Sequence, residues 1–153
     1  MGVCGIPEIR AFCTVRSGAA SDTGKAFQPE RKNRMLRRGE IYYADLGEVL
    51  GSEQGGTRPV LIVQNDIGNR YSPTTIVLPV TSAYKKFMPT HANLVPECGL
   101  KKQSTALAEQ IRTIDRSRLL DYTGYLYPEE MLPVDRAILT ALGVNNHEAI
   151  RTG

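Results

Sequence analysis

The sequence predicts a mainly β fold with appended helices (α+β), in which antiparallel strands form a small barrel. Short runs of apolar or alternating character recur at close spacing, and polar loops rich in glycine separate them. The apolar pattern takes a helical period only near the C-terminus. Short strands joined by such loops favour a small barrel over a parallel α/β sheet. A chain of 153 residues suffices for one domain with its own core and is too short for two of ordinary size.

The strands are predicted where these short runs occur. Residues 40–46 alternate well enough for a first strand, and residues 47–57 form a long, glycine-rich polar loop. The second strand, residues 58–65, has a continuous apolar centre that indicates burial on both faces, and Pro59 is tolerated at the start of a strand. The remaining strands are predicted at residues 74–81, 91–95, 105–113 and 119–125.

The second and third strands are predicted to form a β-hairpin around the turn-rich residues 66–73. If Asn65 faces Thr74, counting back along both strands places Arg58 opposite Thr81. Directly opposed side chains share one face of a sheet, with Cβ atoms about 4.5–5.5 Å apart. A guanidinium and a hydroxyl would then converge, which is a phosphate site in outline. A slip of one residue would turn Thr81 to the other face.

The C-terminal stretch changes to a helical period. Its apolar positions are Val134, Ala137, Ile138, Ala141 and Leu142. This spacing predicts an amphipathic helix, with Pro128 and the two glutamates after it as a suitable start and Gly143 as its end. Pro133 removes one backbone hydrogen bond inside such a helix, so we expect a kink or a restart there.

The formal charge of +3 lies in the N-terminal part of the chain. Residues 1–34 hold six Lys or Arg and three acids, whereas residues 35–153 hold thirteen of each sign. Net charge therefore does not indicate a nucleic-acid binder, and attraction for a polyanion must come from a local patch. Residues 1–34 lack a sustained apolar period, and we interpret them as an N-terminal extension, either disordered or upstream of a true start at Met35.

The cysteines and the apolar runs restrict the cellular compartment. Three cysteines without CxxC spacing indicate neither a disulfide framework nor a zinc site. No apolar run is long enough to span a membrane, and the N-terminus lacks the apolar segment of a secretory signal. We therefore expect a cytoplasmic protein that does not associate with a membrane.

Several motifs arrive in a fixed order between about residue 36 and residue 143. They are RGEIYYADL at 38–46, GSEQGGTRPV at 51–60, QND at 64–66, Thr81 after an apolar strand, PTH at 89–91 and EQIRTID at 109–115. Together they resemble the MazF/PemK-type toxins, sequence-specific endoribonucleases of bacterial type II toxin–antitoxin systems. The resemblance implies a small SH3-like barrel with appended helices. It also implies a homodimer whose cleft receives single-stranded RNA, and a cognate antitoxin whose disordered C-terminal segment occupies that cleft.

The resemblance places the catalytic arginine and threonine of the family on Arg58 and Thr81, the pair that the hairpin register also brings together. The implied reaction is attack of an RNA 2′-hydroxyl on the adjacent phosphate, which leaves a 2′,3′-cyclic phosphate and a 5′-hydroxyl. A planar guanidinium suits the charge that develops on the phosphate oxygens. The residue that accepts the 2′-hydroxyl proton stays open, with Glu53 as a candidate helper.

Four polar residues are candidates for RNA binding. Ser52 and Gln54 lie on the loop beside the catalytic arginine, and both can donate and accept hydrogen bonds to unstacked bases. Gln110 and Arg112 are expected on one face of the predicted fifth strand, with Leu107 on the inward face. No cluster of His, Cys, Asp and Glu has ligand spacing, so we expect no metal, no cofactor and metal-independent cleavage. A non-enzymatic toxin of the same fold that binds DNA gyrase is the alternative.

Overall fold

The computed structural model describes residues 34–83 and 85–144, so the predicted extension 1–34 lies, apart from Arg34, outside the described residues. The strands are β1 (Glu40–Asp45), β2 (Thr57–Ile62), β3 (Thr74–Thr81), β4 (His91–Leu94), β5 (Ser104–Leu107), β6 (Arg112–Asp115) and β7 (Leu119–Tyr125). The helices are α1 (Asp66–Tyr71) and α2 (Pro128–Ala141), and 3-10 turns occupy Pro96–Cys98, Ala108–Gln110 and Arg116–Arg118. The predicted class, mainly antiparallel β with a C-terminal helix, is confirmed.

The strands pair antiparallel in the order β4-β5-β3-β2-β1-β7, and β6 pairs with β3 beside β5. Strand β3 is therefore paired along both edges, with β2 on one side and with β6 and then β5 on the other. The end strands β4 and β7 are not paired with each other, so the sheet of the described residues is open where a barrel was expected to close.

The β2–β3 register is the one the sequence predicted. Its pairs are Val60 with Pro79, Leu61 with Leu78, and Ile62 with Val77. The connection between the strands differs from prediction, because helix α1 replaces a simple turn. The side chain of Asn65 caps this helix by accepting a hydrogen bond from the Gly68 amide at 2.8 Å. Strand β2 ends at Ile62 and not at residue 65 as predicted.

The predicted fifth strand, residues 105–113, is wrong in one respect, because it is interrupted. Between the pairs Val80–Ala106 and Val77–Arg112, strand β3 advances by three residues and the facing chain by six. The 3-10 turn Ala108–Gln110 takes up the excess, as a bulge takes up an extra residue. Gln110 therefore lies on a turn, and it does not share a strand face with Arg112 as predicted.

The sheet buries apolar side chains on both faces, as the continuous apolar centre of β2 predicted. One face of the sheet packs against α2. Leu61 and Leu78 of the sheet and Met131 of the helix belong to this cluster, called here the helix-side core. The other face, called here the opposite core, includes Val60 and Ile62. Successive strand residues point to opposite faces, so β2 supplies both clusters in turn.

Helix α2 confirms the predicted amphipathic helix, except that Leu142, predicted on its apolar face, lies beyond its last residue and is exposed. It begins at Pro128, and the Tyr127 amide donates to the Glu130 side chain at 2.8 Å. The helix runs on through the exposed Pro133, and Gly143 beyond its end takes a left-handed φ of 68°. Among the described residues, neither helix has the length and apolar character required to cross a bilayer.

A buried carboxylate lies at the start of β1. Glu40, 5% exposed, accepts hydrogen bonds from the Arg34 guanidinium at 2.8 Å, the Arg37 amide at 3.1 Å and the Tyr42 hydroxyl at 3.0 Å. The Arg34 guanidinium also lies over the Tyr122 ring, 4.1 Å from its centroid. Burial, and then the neighbouring Glu40 carboxylate, raises the pKa of Tyr42 well above its ordinary value. The phenol and the carboxylate thus act as one donor–acceptor unit.

We expect Tyr42→Phe to lower the free energy of unfolding by about 1.5 kcal/mol, because Glu40 loses a donor while it stays buried. Urea denaturation at pH 7 measures this loss. Tyr43→Phe is the matched control, because the Tyr43 hydroxyl makes no hydrogen bond with the described residues, and it should change stability by less than about 0.5 kcal/mol. Equal losses in the two variants would contradict the role given to Tyr42.

The same contact has a pH dependence of definite sign. Because the folded-state pKa of Tyr42 is raised, its contribution to stability is complete below about pH 10, the ordinary tyrosine pKa. That contribution is lost as the pH rises towards the folded-state pKa. The difference in stability between wild type and Tyr42→Phe should therefore shrink above about pH 10 in urea titrations, and a difference that grew there would contradict the sign.

Candidate active site

The β1–β2 loop, residues 46–56, is closed at its base by two backbone hydrogen bonds. The Leu46 amide donates to the Gly56 carbonyl at 3.0 Å, and the Gly56 amide donates to the Gly47 carbonyl at 2.9 Å. Gly55 packs closely inside the loop, since a Cβ there would lie 2.6 Å from a Val49 methyl and 2.9 Å from the Gly47 carbonyl oxygen. Only glycine fits this position without displacing the loop.

Arg58 extends from the second position of β2 and is half-buried. Its Nε donates to the Gly55 carbonyl at 2.7 Å, and its Nη1 donates to the Gln54 carboxamide oxygen. These two bonds orient the guanidinium along the loop. The other N–H groups of the fork have no partner among the described residues, so they can donate to an anion.

Gln110 reaches the same loop from the 3-10 turn Ala108–Gln110. Its Oε1 accepts from the Gln54 amide at 2.7 Å, and its Nε2 donates to the Ser52 carbonyl at 3.3 Å. Gln54 is therefore held twice, by Gln110 at its backbone and by Arg58 at its side chain. The structure thus brings together the predicted residues Ser52, Gln54, Arg58 and Gln110.

Thr81 is the last residue of β3 and is half-buried. Its hydroxyl oxygen accepts from the Ala83 amide at 3.2 Å, which leaves the hydroxyl hydrogen able to donate. Val77 lies in the opposite core, whereas Leu78 and Val80 lie in the helix-side core. By this alternation Thr81 faces the same side of the sheet as Val77.

Arg58 takes the same face on its own strand, because Val60 and Ile62 lie in the opposite core and Leu61 lies in the helix-side core. The β2–β3 hydrogen-bonded pairs end at Val60 and Pro79, two positions short of Arg58 and Thr81. The two side chains therefore share a face of the sheet, and their convergence on one phosphate stays a prediction.

A cavity of about 570 Å³ opens beside the loop. Its walls are formed by Glu48, Val49, Ser52, Glu53, Glu109, Gln110, Ile111 and Arg112. Four of the residues singled out in the sequence therefore line one cavity, whereas Gln54, Arg58 and Thr81 are not part of its wall.

The predicted residues in this wall differ in how they are held. Glu53 is exposed, and its carboxylate accepts a long hydrogen bond of 3.5 Å from the Leu50 amide. The side chains of Ser52 and Arg112 make no hydrogen bond or ion pair with other described residues, so their polar groups face the cavity or solvent unpaired.

Sequence reasoning missed Glu109 as part of the site. Its carboxylate lies 3.0 Å from Nε2 of His91, whose side chain is 6% exposed, and this pair ties the 3-10 turn to the start of β4. The signal was present, because Glu109 opens the EQIRTID motif. No group of three or more His, Cys, Asp and Glu side chains in residues 34–83 and 85–144 is arranged to hold a metal ion.

Comparison with known proteins agrees with this fold. Residues 37–142 match the family model of PemK-like, MazF-like toxins of type II toxin–antitoxin systems. The chain is 48% identical over 116 residues to an endoribonuclease MazF from Staphylococcus epidermidis, a match that covers 74% of this chain and 97% of that protein.

Comparison with solved structures also finds endoribonuclease and MazF toxins. An endoribonuclease from a mycobacterial species, in complex with its cognate antitoxin, is 30% identical with a TM-score of 0.62, over 72% of this chain and 97% of that one. MazF from Deinococcus radiodurans is 25% identical with a TM-score of 0.64, over 72% and 99%. The chain therefore belongs to the PemK-like and MazF-like toxins of type II toxin–antitoxin systems, and the enzyme class predicted from its sequence, an endoribonuclease, is confirmed.

Proposed function

We propose that this toxin cleaves single-stranded RNA at a specific sequence, by attack of a ribose 2′-hydroxyl on the adjacent phosphate. The observation that carries the proposal is the Arg58 guanidinium, which the Gly55 carbonyl and Gln54 hold and whose other N–H groups have no partner among residues 34–83 and 85–144. A guanidinium fixed in this way can bind two phosphate oxygens at once.

The reaction exchanges one phosphorus–oxygen bond for another. The 2′-oxygen bonds to phosphorus and loses its proton to a base, the bond from phosphorus to the 5′-oxygen breaks, and that oxygen takes up a proton. The products are a 2′,3′-cyclic phosphate and a 5′-hydroxyl. Negative charge builds on the phosphorane oxygens, where Arg58 stabilises it and the Thr81 hydroxyl donates one further hydrogen bond.

Glu53 is the proposed helper in proton transfer. Arg58 carries a permanent positive charge and is a poor base, whereas a carboxylate can accept the proton directly or through one water. Glu53 is exposed on the cavity wall and is weakly held, so it is free to turn towards a bound ribose.

The cavity beside the loop is the proposed site of base recognition. Of the four predicted RNA contacts, Ser52 and Arg112 have side-chain donors that the described residues leave unpaired. The carboxamides of Gln54 and Gln110 make hydrogen bonds within the protein, so they contact RNA only through the donors and lone pairs that those bonds do not use. Unstacked bases of a single strand offer the edges that such polar groups read.

The proposed partners follow from family membership. The mycobacterial relative was solved in complex with its cognate antitoxin, which supports a cognate antitoxin here as well. We expect a homodimer whose cleft binds RNA and, in the inhibited state, the disordered C-terminal segment of that antitoxin. No cofactor is required, because the attacking oxygen belongs to the substrate and no metal-bound water has to be generated.

Arg58→Ala should lower kcat for RNA cleavage by about 10²- to 10³-fold, because it removes a preorganised donor to the developing charge. Arg70→Ala is the matched control, since Arg70 is exposed in the last turn of α1 and its guanidinium lies only near the Tyr71 ring, 5.5 Å from the centroid. Steady-state cleavage of a short RNA containing the target measures both. A kcat for Arg58→Ala within about threefold of wild type would refute the assigned role.

Replacing the scissile 2′-hydroxyl with hydrogen should abolish cleavage and leave RNA binding within about threefold, because the change removes the nucleophile and little else. The assay is run with EDTA, and the fragments are tested for 5′-hydroxyl ends. Cleavage of the deoxy substrate would rule out the mechanism, and loss of wild-type cleavage in EDTA would rule out metal independence. RNA left intact under every condition would favour the gyrase-binding alternative.

A further inference from the structure

We propose that Gln110 is a positioning residue for Arg58, acting through the β1–β2 loop, and not chiefly a reader of RNA bases. The proposal rests on the proposed function of Arg58. Its basis is a continuous chain of contacts from the 3-10 turn to the guanidinium. Gln110 bonds the loop at the Ser52 carbonyl and the Gln54 amide, and the next two links are the Gln54 side chain and the Gly55 carbonyl, both of which bind Arg58.

The contacts of Gln110 span a short stretch of loop from both sides. Its carboxamide donates to a carbonyl at one end of Ser52–Gln54 and accepts from an amide at the other. A side-chain amide used in this way replaces a backbone partner and fixes the peptide planes between its two contacts. The fixed peptide planes determine the position of the Gln54 side chain and the direction of the Gly55 carbonyl, the two groups that bind Arg58.

The turn that carries Gln110 is anchored far better than the loop it holds. Ala108 is fully buried, and its amide donates to the Thr90 carbonyl at 3.0 Å. The neighbouring Glu109 carboxylate lies 3.0 Å from the buried His91 imidazole. The β1–β2 loop, in contrast, has exposed residues at Leu50 and Ser52. Orientation therefore passes from the turn to the loop, and from the loop to Arg58.

The sheet itself explains why Gln110 can reach across. The segment from β5 to β6, which pairs with β3, has three more residues than the stretch of β3 it faces. These residues form the 3-10 turn and place Gln110 outside the hydrogen-bonded ladder. On a regular strand its side chain would lie beside that of Arg112, as the sequence predicted. Each group of the Gln110 carboxamide already makes one hydrogen bond within the protein, and these bonds fix its orientation and leave one N–H and one lone pair for any contact with a base.

The first test needs no RNA. We compare amide hydrogen exchange of Gln54 by NMR in wild type, Gln110→Ala, Gln110→Glu and the control Gln103→Ala, whose side chain is exposed before β5. Exchange should be at least about tenfold faster in Gln110→Ala and unchanged in Gln103→Ala. Gln110→Glu keeps the acceptor for Gln54 and loses the donor to Ser52, so it should retain part of the protection. Equal exchange in wild type and Gln110→Ala would overturn the proposal.

The second test measures RNA cleavage. Gln110→Ala should lower kcat about 10- to 100-fold, with KM within about twofold and the cleaved sequence unchanged, because misplacement of Arg58 affects the transition state and not base reading. In the Arg58→Ala background, Gln110→Ala should cause no further loss. A changed cleavage sequence, or losses that multiply in the double variant, would overturn the proposal. If wild type cleaves no RNA, the proposed function fails, and the exchange experiment still decides whether Gln110 holds the loop.

Discussion

The register of strand β3 is the constraint on which the rest of the structure depends. This strand is hydrogen-bonded along both edges, to β2 on one side and to β6 and β5 on the other. Its alternating side chains feed both cores, and its last residue carries the Thr81 hydroxyl. A slip of one residue would exchange the two cores and turn Thr81 away from the Arg58 face, so the same pairing specifies the fold and the placement of the two candidate residues.

Local pattern was enough to predict much of this arrangement. The bounds of β3 and most of the buried face of α2 followed from apolar periodicity, and the β2–β3 register followed from counting back along the two strands of the predicted hairpin. The α1 helix was missed because the capping side chain of Asn65 outcompetes a simple turn. The interruption of the fifth strand was missed because it depends on where the facing chain pairs with β3, which no local pattern shows.

The candidate site likewise has residues that local motifs indicate and a contact that only the folded structure shows. Arg58 and Thr81 could be proposed from the sequence because the motifs that carry the family resemblance are short and contiguous with their strands. The hold of Gln110 on Gln54 joins residues 56 positions apart, and only the folded chain brings them together. In such a preorganised arrangement, the guanidinium is oriented when the chain folds, so no free energy is needed to orient it when a substrate binds. It also shows how a glycine-rich loop can hold one side chain in a fixed orientation.

The three extra residues opposite β3 have a consequence for how such an enzyme could be altered. The ladder would be continuous without them, since the facing chain would then advance in step with β3. The strand pairing does not need them, but the turn they form is tied to the rest of the domain by the buried Ala108, whose amide donates to the Thr90 carbonyl, and by the Glu109–His91 pair. A chain shortened by these three residues would therefore lose the ties of the turn to Thr90 and His91 together with the hold of Gln110 on the loop, so one insertion serves both packing and loop placement.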